Sequence, residues 1–210
     1  GSLSTADLAT FLWDGAILGM GLGLAGIGLA MTYSILNFAN FAHGDLVTSG
    51  AFAGWITAFL LAGFGEFATQ ALLFVGGPVP IDTGRLGISV TNTPVAVFAG
   101  LAVSAGVTAG LALAIDRVVF RPMRDERGIS LLIASVGVAL VLRYLLVFGL
   151  QAGTRGLTGT GVTPAFTVAV GAGELTVDAH EVTLIVFAGA MMIGTHLLLR
   201  RTKLGTAMRA

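Results

Sequence analysis

Asn37, Asn40, His43 and Asp45 fall together in one short stretch, NFANFAHGD, along with Gly44, Phe38 and Phe41. Each polar type has a distinct chemistry. An imidazole two residues from a carboxylate can relay a proton. A carboxylate at a helix start can take the free N–H groups there and meet the positive end of the helix dipole. Carboxamides can satisfy backbone left open by a break, and Gly44 permits an unusual backbone turn between His43 and Asp45. As a reaction centre the group is poorly supported, because His–x–Asp alone is a weak signal.

The flanks explain why the stretch matters. GAILGMGLGLAGIGLAMTYSIL precedes it and LVTSGAFAGWITAFLLAGFG follows it, with no Asp, Glu, Lys or Arg in either. The 210-residue chain is 55% hydrophobic and 10% charged, with a mean hydropathy of +0.93, too little charge to cover a water-soluble domain. A formal net charge of zero argues against a nucleic-acid surface, and the lack of cysteine removes disulfides and thiolate metal sites. The opening residues GSLSTADLATF carry no basic n-region, so no signal peptide is expected.

A helix needs about 20 apolar residues to cross a bilayer. The windows 15–36, 46–65, 94–115, 129–150 and 182–199 qualify, the fourth containing Arg143 and the fifth being short. Residues 67–81, FATQALLFVGGPVPI, read as a re-entrant or interfacial piece. The fold expected is all-α: a polytopic transmembrane helical bundle of about five spans plus that segment, forming one domain over 1–210. Within residues 151–181, FTVAV, GAG and ELTV predict a small hairpin.

Basic residues orient the bundle. Arg117, Arg121, Arg124 and Arg127 crowd residues 116–128, and Arg200, Arg201, Lys203 and Arg209 crowd the tail. The stretches 66–93 and 151–181 hold one arginine each, Arg85 and Arg155. The Arg-rich loop and tail are therefore expected in the cytoplasm and the N-terminus outside. Alternation puts NFANFAHGD at the cytoplasmic end of the first two spans, unless it dips into the membrane.

Two readings of that stretch follow: a turn wetted by the cytoplasm, or a helix break at membrane depth. A break is tolerated only where protein or a water-filled cavity satisfies its backbone, and transporters use such breaks for polar substrates. The interleaved phenylalanines favour the break. Asp45 is expected to cap the following helix, with Asn37 and Asn40 satisfying exposed backbone. Arg143 either snorkels, makes a structural hydrogen bond, or faces a pore. Small residues four apart (Gly15, Gly19 and Gly23; Gly50 and Gly54; Ala102, Gly106 and Gly110) are expected to let helices approach closely. No HExxH, Walker or GxSxG sequence occurs, so an enzyme reading has no anchor.

Three motifs carry a family resemblance. GLAMTYSILNFANFAHGDLVTSGAF resembles the N-F-A-H-G-[DE] signature of the permease subunits of branched-chain amino-acid ABC importers, the H-type in particular. DRVVFRPMRDERGISLLIASVG is similar to their acidic–Arg, RP-[LM]-R and LIA-[ST]-[VI]-G block. RRTKLGTAMRA resembles the opening of their cytoplasmic coupling segment, [RK]-T-x-x-G-x-A-M-R-A. The stretch 66–93 is longer and more polar than the family pattern, and the chain stops inside the coupling motif, as an N-terminal portion of such a permease would.

The resemblance implies an importer subunit in a prokaryotic inner membrane, working with a second permease subunit, two ATP-binding cassette subunits and an extracytoplasmic solute-binding protein. ATP would be held by those partners, with no cofactor on this chain. Asn37, Asn40, His43, Gly44 and Asp45 would shape the pathway or gate. Leu204, Gly205, Met208 and Arg209 would begin the ATPase coupling surface. Urea or short amides are alternative cargoes within the family. A proton-coupled secondary transporter using His43 and Asp45, or a structural membrane subunit, is the alternative outside it.

Overall fold

The computed structural model describes residues 4–63, 87–126, 128–150, 156–157, 163–171 and 173–201. Five helices among them are long and apolar enough to cross a membrane: α1 (Thr5–Leu36), α2 (His43–Ala62), α3 (Pro94–Ile115) with its short continuation to Met123, α4 (Gly128–Leu150) and α5 (Ala179–Arg201). The all-α architecture expected from apolar length is the one observed. The expected segment 67–81 lies outside the described residues. The fold divides into two units, Asn37–Val162 and the pair Gly1–Leu36 with Thr163–Ala210.

In the second of these, α1 starts well before the apolar window because a capping box begins it. Ser4 Oγ accepts the Asp7 N–H at 3.1 Å, and Asp7 accepts the Ser4 N–H at 2.9 Å. The predicted hairpin is present, with β1 (Ala165–Val170) antiparallel to β2 (Gly173–Asp178) and Phe166 opposite Val177. Gly171 turns it at φ +62°, where a side chain would be strained. β2 leads straight into α5 through a second reciprocal cap. Asp178 Oδ1 accepts the His180 N–H at 2.8 Å, while Glu181 accepts the Asp178 N–H at 2.9 Å. Glu181 also takes the Trp13 indole N–H at 2.9 Å, tying α5 to α1. Of the glycines expected to pack on α1, Gly23 lies against Met192, whereas Gly15 and Gly19 face open space.

In the Asn37–Val162 unit, α2 and α3 cross closely. A Cβ on Gly54 would sit 2.7 Å from the Gly100 carbonyl oxygen, and one on Gly50 would sit 2.9 Å from the Ser104 carbonyl and collide with Thr108. The small residues of α3 that meet α2 are thus Gly100, Ser104 and Thr108. Gly106 and Gly110, expected to let a helix approach closely, have nothing within 4 Å of a Cβ among the described residues. The same stripe spacing occurs on two faces of α3, and the face continuing Val97 into the core wins. That core joins Trp55, Phe59, Ile88 and Val97, with the Trp55 and Phe59 rings 4.5 Å apart. The Trp55 indole N–H reaches the Gly156 carbonyl at 3.0 Å. Before α3, a tight turn is knotted by Ser89, whose hydroxyl accepts the Asn92 N–H at 2.9 Å and whose carbonyl accepts the Thr93 N–H at 2.9 Å. After α3 the helix loosens into a π-helical stretch, Asp116–Phe120, then a 3-10 turn, Arg121–Met123. Arg124 closes back on Asp116 at 3.3 Å.

Candidate functional site

The polar stretch is a helix break, and its backbone can be followed group by group. Asn37, the residue after α1, takes φ +56°, the left-handed conformation that ends a helix and that Asn tolerates better than other side chains. The unusual backbone expected at Gly44 falls here instead, because Gly44 is already inside α2 with ordinary helical geometry. Three donors at the start of α2 are met. The Phe41 N–H reaches Ser135 Oγ at 3.1 Å, the Ala42 N–H reaches Asn40 Oδ1 at 3.0 Å, and the His43 N–H reaches the Asn40 carbonyl at 3.2 Å. Asn40 does the work expected of it; Asn37 contributes its backbone.

Asp45 does not cap α2. It sits in the first turn, where the helix dipole favours a carboxylate, yet its side chain makes no cap hydrogen bond. The reason is a stronger partner: Arg143 Nε donates to Asp45 Oδ1 at 3.2 Å. Of the three readings open for Arg143, the structural hydrogen bond is observed. Ser49, one turn on, donates to the Asp45 carbonyl at 2.7 Å. His43 is half-buried, and its Nε2 is buried without a hydrogen-bond partner among the described residues. No hydrogen bond joins His43 to Asp45 among them, so the proton-relay pairing is not formed.

These contacts also place the break along α4. Ser135 lies about 10 Å along α4 from its first residue, and Phe41 bonds to it, so the break packs beside the helix about two turns in from that residue. Phe38 is buried edge-on against Phe120 of the π-helical stretch, ring centroids 5.2 Å apart. Ser135 is fully buried and is the [ST] position of the LIA-[ST]-[VI]-G block, but it was not singled out as a site residue because the motif names no partner for it. Beside the break, α2, α3 and α4 border an open groove of about 300 Å³. Phe52, Ile56, Leu111, Leu142 and Leu146 line it, and Ser49 is the polar side chain at its wall. Leu204, Gly205, Met208 and Arg209 lie outside the described residues.

An ion pair at the break and an adjoining open apolar groove set charged and apolar contacts near one another. The family profile described as the permease component of the branched-chain amino acid transport system matches residues 11–210. The chain is 24% identical over 203 residues to the high-affinity branched-chain amino acid transport system permease protein BraD of Pseudomonas aeruginosa, covering 95% of this chain and 57% of that protein. It is 28% identical over 132 residues to LivH of Escherichia coli K12, the correspondingly described permease protein, covering 63% of this chain and 35% of that one. LivH of Salmonella typhimurium is 26% identical over the same length. No solved structure matches. With residues 11–210 matched by the profile, the chain belongs to the family of branched-chain amino acid transport system permease components.

Proposed function

We propose that this chain is a permease subunit of an ATP-driven importer for branched-chain amino acids, sharing the translocation path with a second permease. Two ATP-binding cassette subunits would supply the energy and an extracytoplasmic binding protein the cargo. Asn37, Asn40, His43, Gly44 and Asp45 form the break that shapes the path, and Leu204, Gly205, Met208 and Arg209 open the coupling surface. The observation that carries this reading is the break itself. The Phe41, Ala42 and His43 N–H groups are met by Ser135 and Asn40 between the apolar helices, and an ion pair lies beside the break, in a chain of this family. The proton-coupled alternative loses support because the partner of Asp45 is a guanidinium rather than the His43 imidazole.

Reconstitution in liposomes of the full-length permease with its second permease, ATPases and binding protein tests the proposal. Leucine uptake should require internal ATP and survive an uncoupler. Uptake that ignores ATP and collapses with the proton gradient would transfer the function to the secondary-transporter class.

A further inference from the structure

We propose that the Asp45–Arg143 pair is an exchangeable site for a zwitterion, and this rests on the permease reading above. The pair opens to take the α-carboxylate of an amino acid on Arg143 and its α-ammonium on Asp45, while the aliphatic side chain lies in the open groove lined by Phe52, Ile56, Leu142 and Leu146.

Three observations carry it. The first is how little of the pair is used up. Only Nε of Arg143 is bonded among the described residues, which leaves the terminal nitrogens free, and Asp45 Oδ2 has no partner there. The Arg143 side chain is 64% exposed, that of Asp45 12%. A guanidinium presents a planar fork that matches a carboxylate with two parallel bonds, and here that fork is open.

The second is position. Arg143 lies within the apolar helix α4, where a charged group faces a polar cavity or a partner, not lipid. Snorkelling past the C-terminal end of α4 is opposed by geometry. Side chains on a helix lean toward its N-terminus, and the bond to Asp45 holds Arg143 in that direction, since Phe41, one turn before Asp45, already meets Ser135.

The third is the neighbouring open groove. Its lining starts at Ser49, one turn from Asp45, and includes Leu142 and Leu146, which bracket Arg143 in sequence. A branched aliphatic side chain therefore has an apolar space beside the charges that would hold its head group. Exchange costs little because a zwitterion brings one charge of each sign: both ions leave one partner and gain another. Urea or a short amide brings neither charge and cannot replace the pair, so the site separates amino acids from the alternative cargoes.

A plain structural latch between α2 and α4 would show the same bond, so the test must tell the two apart. In the reconstituted full-length transporter, the double variant Asp45→Asn with Arg143→Gln keeps a hydrogen bond and removes both charges. We expect its melting temperature in detergent to match wild type and its leucine uptake to fall on the order of ten- to a hundredfold, with Arg143→Lys losing less. Wild-type uptake by the double variant would overturn the exchange site. Should that variant fold poorly, arginine modification of the wild-type complex by phenylglyoxal, read by mass spectrometry at Arg143, decides. Leucine should slow it, and isopentylamine or 4-methylpentanoate at the same concentration should not; equal labelling with and without leucine would overturn the proposal. Leucine protection in a wild-type complex that shows no ATP-dependent uptake would count against the permease reading alone.

Discussion

Gly54 and Gly100 lie backbone to backbone: a Cβ added to either would stand 2.7 Å from the carbonyl oxygen of the other. With lipid on the outside there is no hydrophobic drive between helices, so α2 and α3 are held by close contact and by the lack of side chains to prevent it. This crossing orients the whole N-terminal half of α2. Any shift there moves Asp45 relative to Arg143.

Gly54→Ala and Gly100→Ala should therefore each destabilise the chain by about 1–3 kcal/mol, the range for overpacking a close contact. Gly106→Ala, which meets open space, should be neutral. Thermal unfolding of the purified protein in detergent reads all three. Equal melting temperatures for Gly54→Ala and Gly106→Ala would mean the helices do not cross here.

Asn37 supports a second, opposite expectation. At φ +56° a β-branched residue is strained, by about 1–2 kcal/mol, whereas glycine adopts this conformation freely. Asn37→Val should lower the melting temperature and Asn37→Gly should leave it unchanged. If both are equally tolerated, the break does not lie at this residue.

Much of this was legible before any coordinates. Apolar length placed five helices, four of them within about three residues of where they lie and α1 with its start at 15 where the helix begins at Thr5, and the hairpin from 165 to 178 followed from two β-rich runs around GAG. The polar stretch stood out because its flanks have no charge to hide it. What stayed hidden depends on register between helices. Arg143 is 98 positions from Asp45, and nothing in an apolar helix says which residue it will meet. Without that partner, capping was the natural role for a carboxylate at a helix start. The partner of Ser135 was hidden for the same reason, although the residue itself stands in the LIA-[ST]-[VI]-G block, and on α3 two small-residue stripes of identical spacing competed until Val97 and Trp55 decided which faced inward.

The break makes its own demand on Ser135. Its hydroxyl accepts the Phe41 N–H and donates to the Leu132 carbonyl at 2.7 Å, with no exposure to solvent. Ser135→Ala leaves a donor unpaired in a dry setting and should cost about 1–3 kcal/mol. Asn40→Ala should cost about 0.5–2 kcal/mol, and Asn40→Asp much less, because an oxygen remains to receive Ala42. Amide hydrogen exchange in this segment should quicken in both alanine variants. Unchanged protection of Phe41 and Ala42 would remove these side chains from the account of the break.

Orientation is the last expectation, and the absence of cysteine makes it simple to examine. Arg117, Arg121 and Arg124 follow α3 directly, and Arg200 and Arg201 close α5. Positively charged residues flanking a span are retained on the cytoplasmic side. The hairpin between α4 and α5 carries acidic Glu174 and Asp178 and no Lys or Arg in its strands. A single cysteine at Glu174 should therefore react with an impermeant maleimide in intact cells, and one at Asp125 should react only after the membrane is opened. Both positions sit in exposed or half-exposed polar surroundings, so a lack of labelling reflects sidedness and not burial. Labelling of Asp125→Cys in intact cells would invert the bundle, placing the basic loop outside and leaving the coupling role of Gly205 and Arg209 with no ATPase to meet.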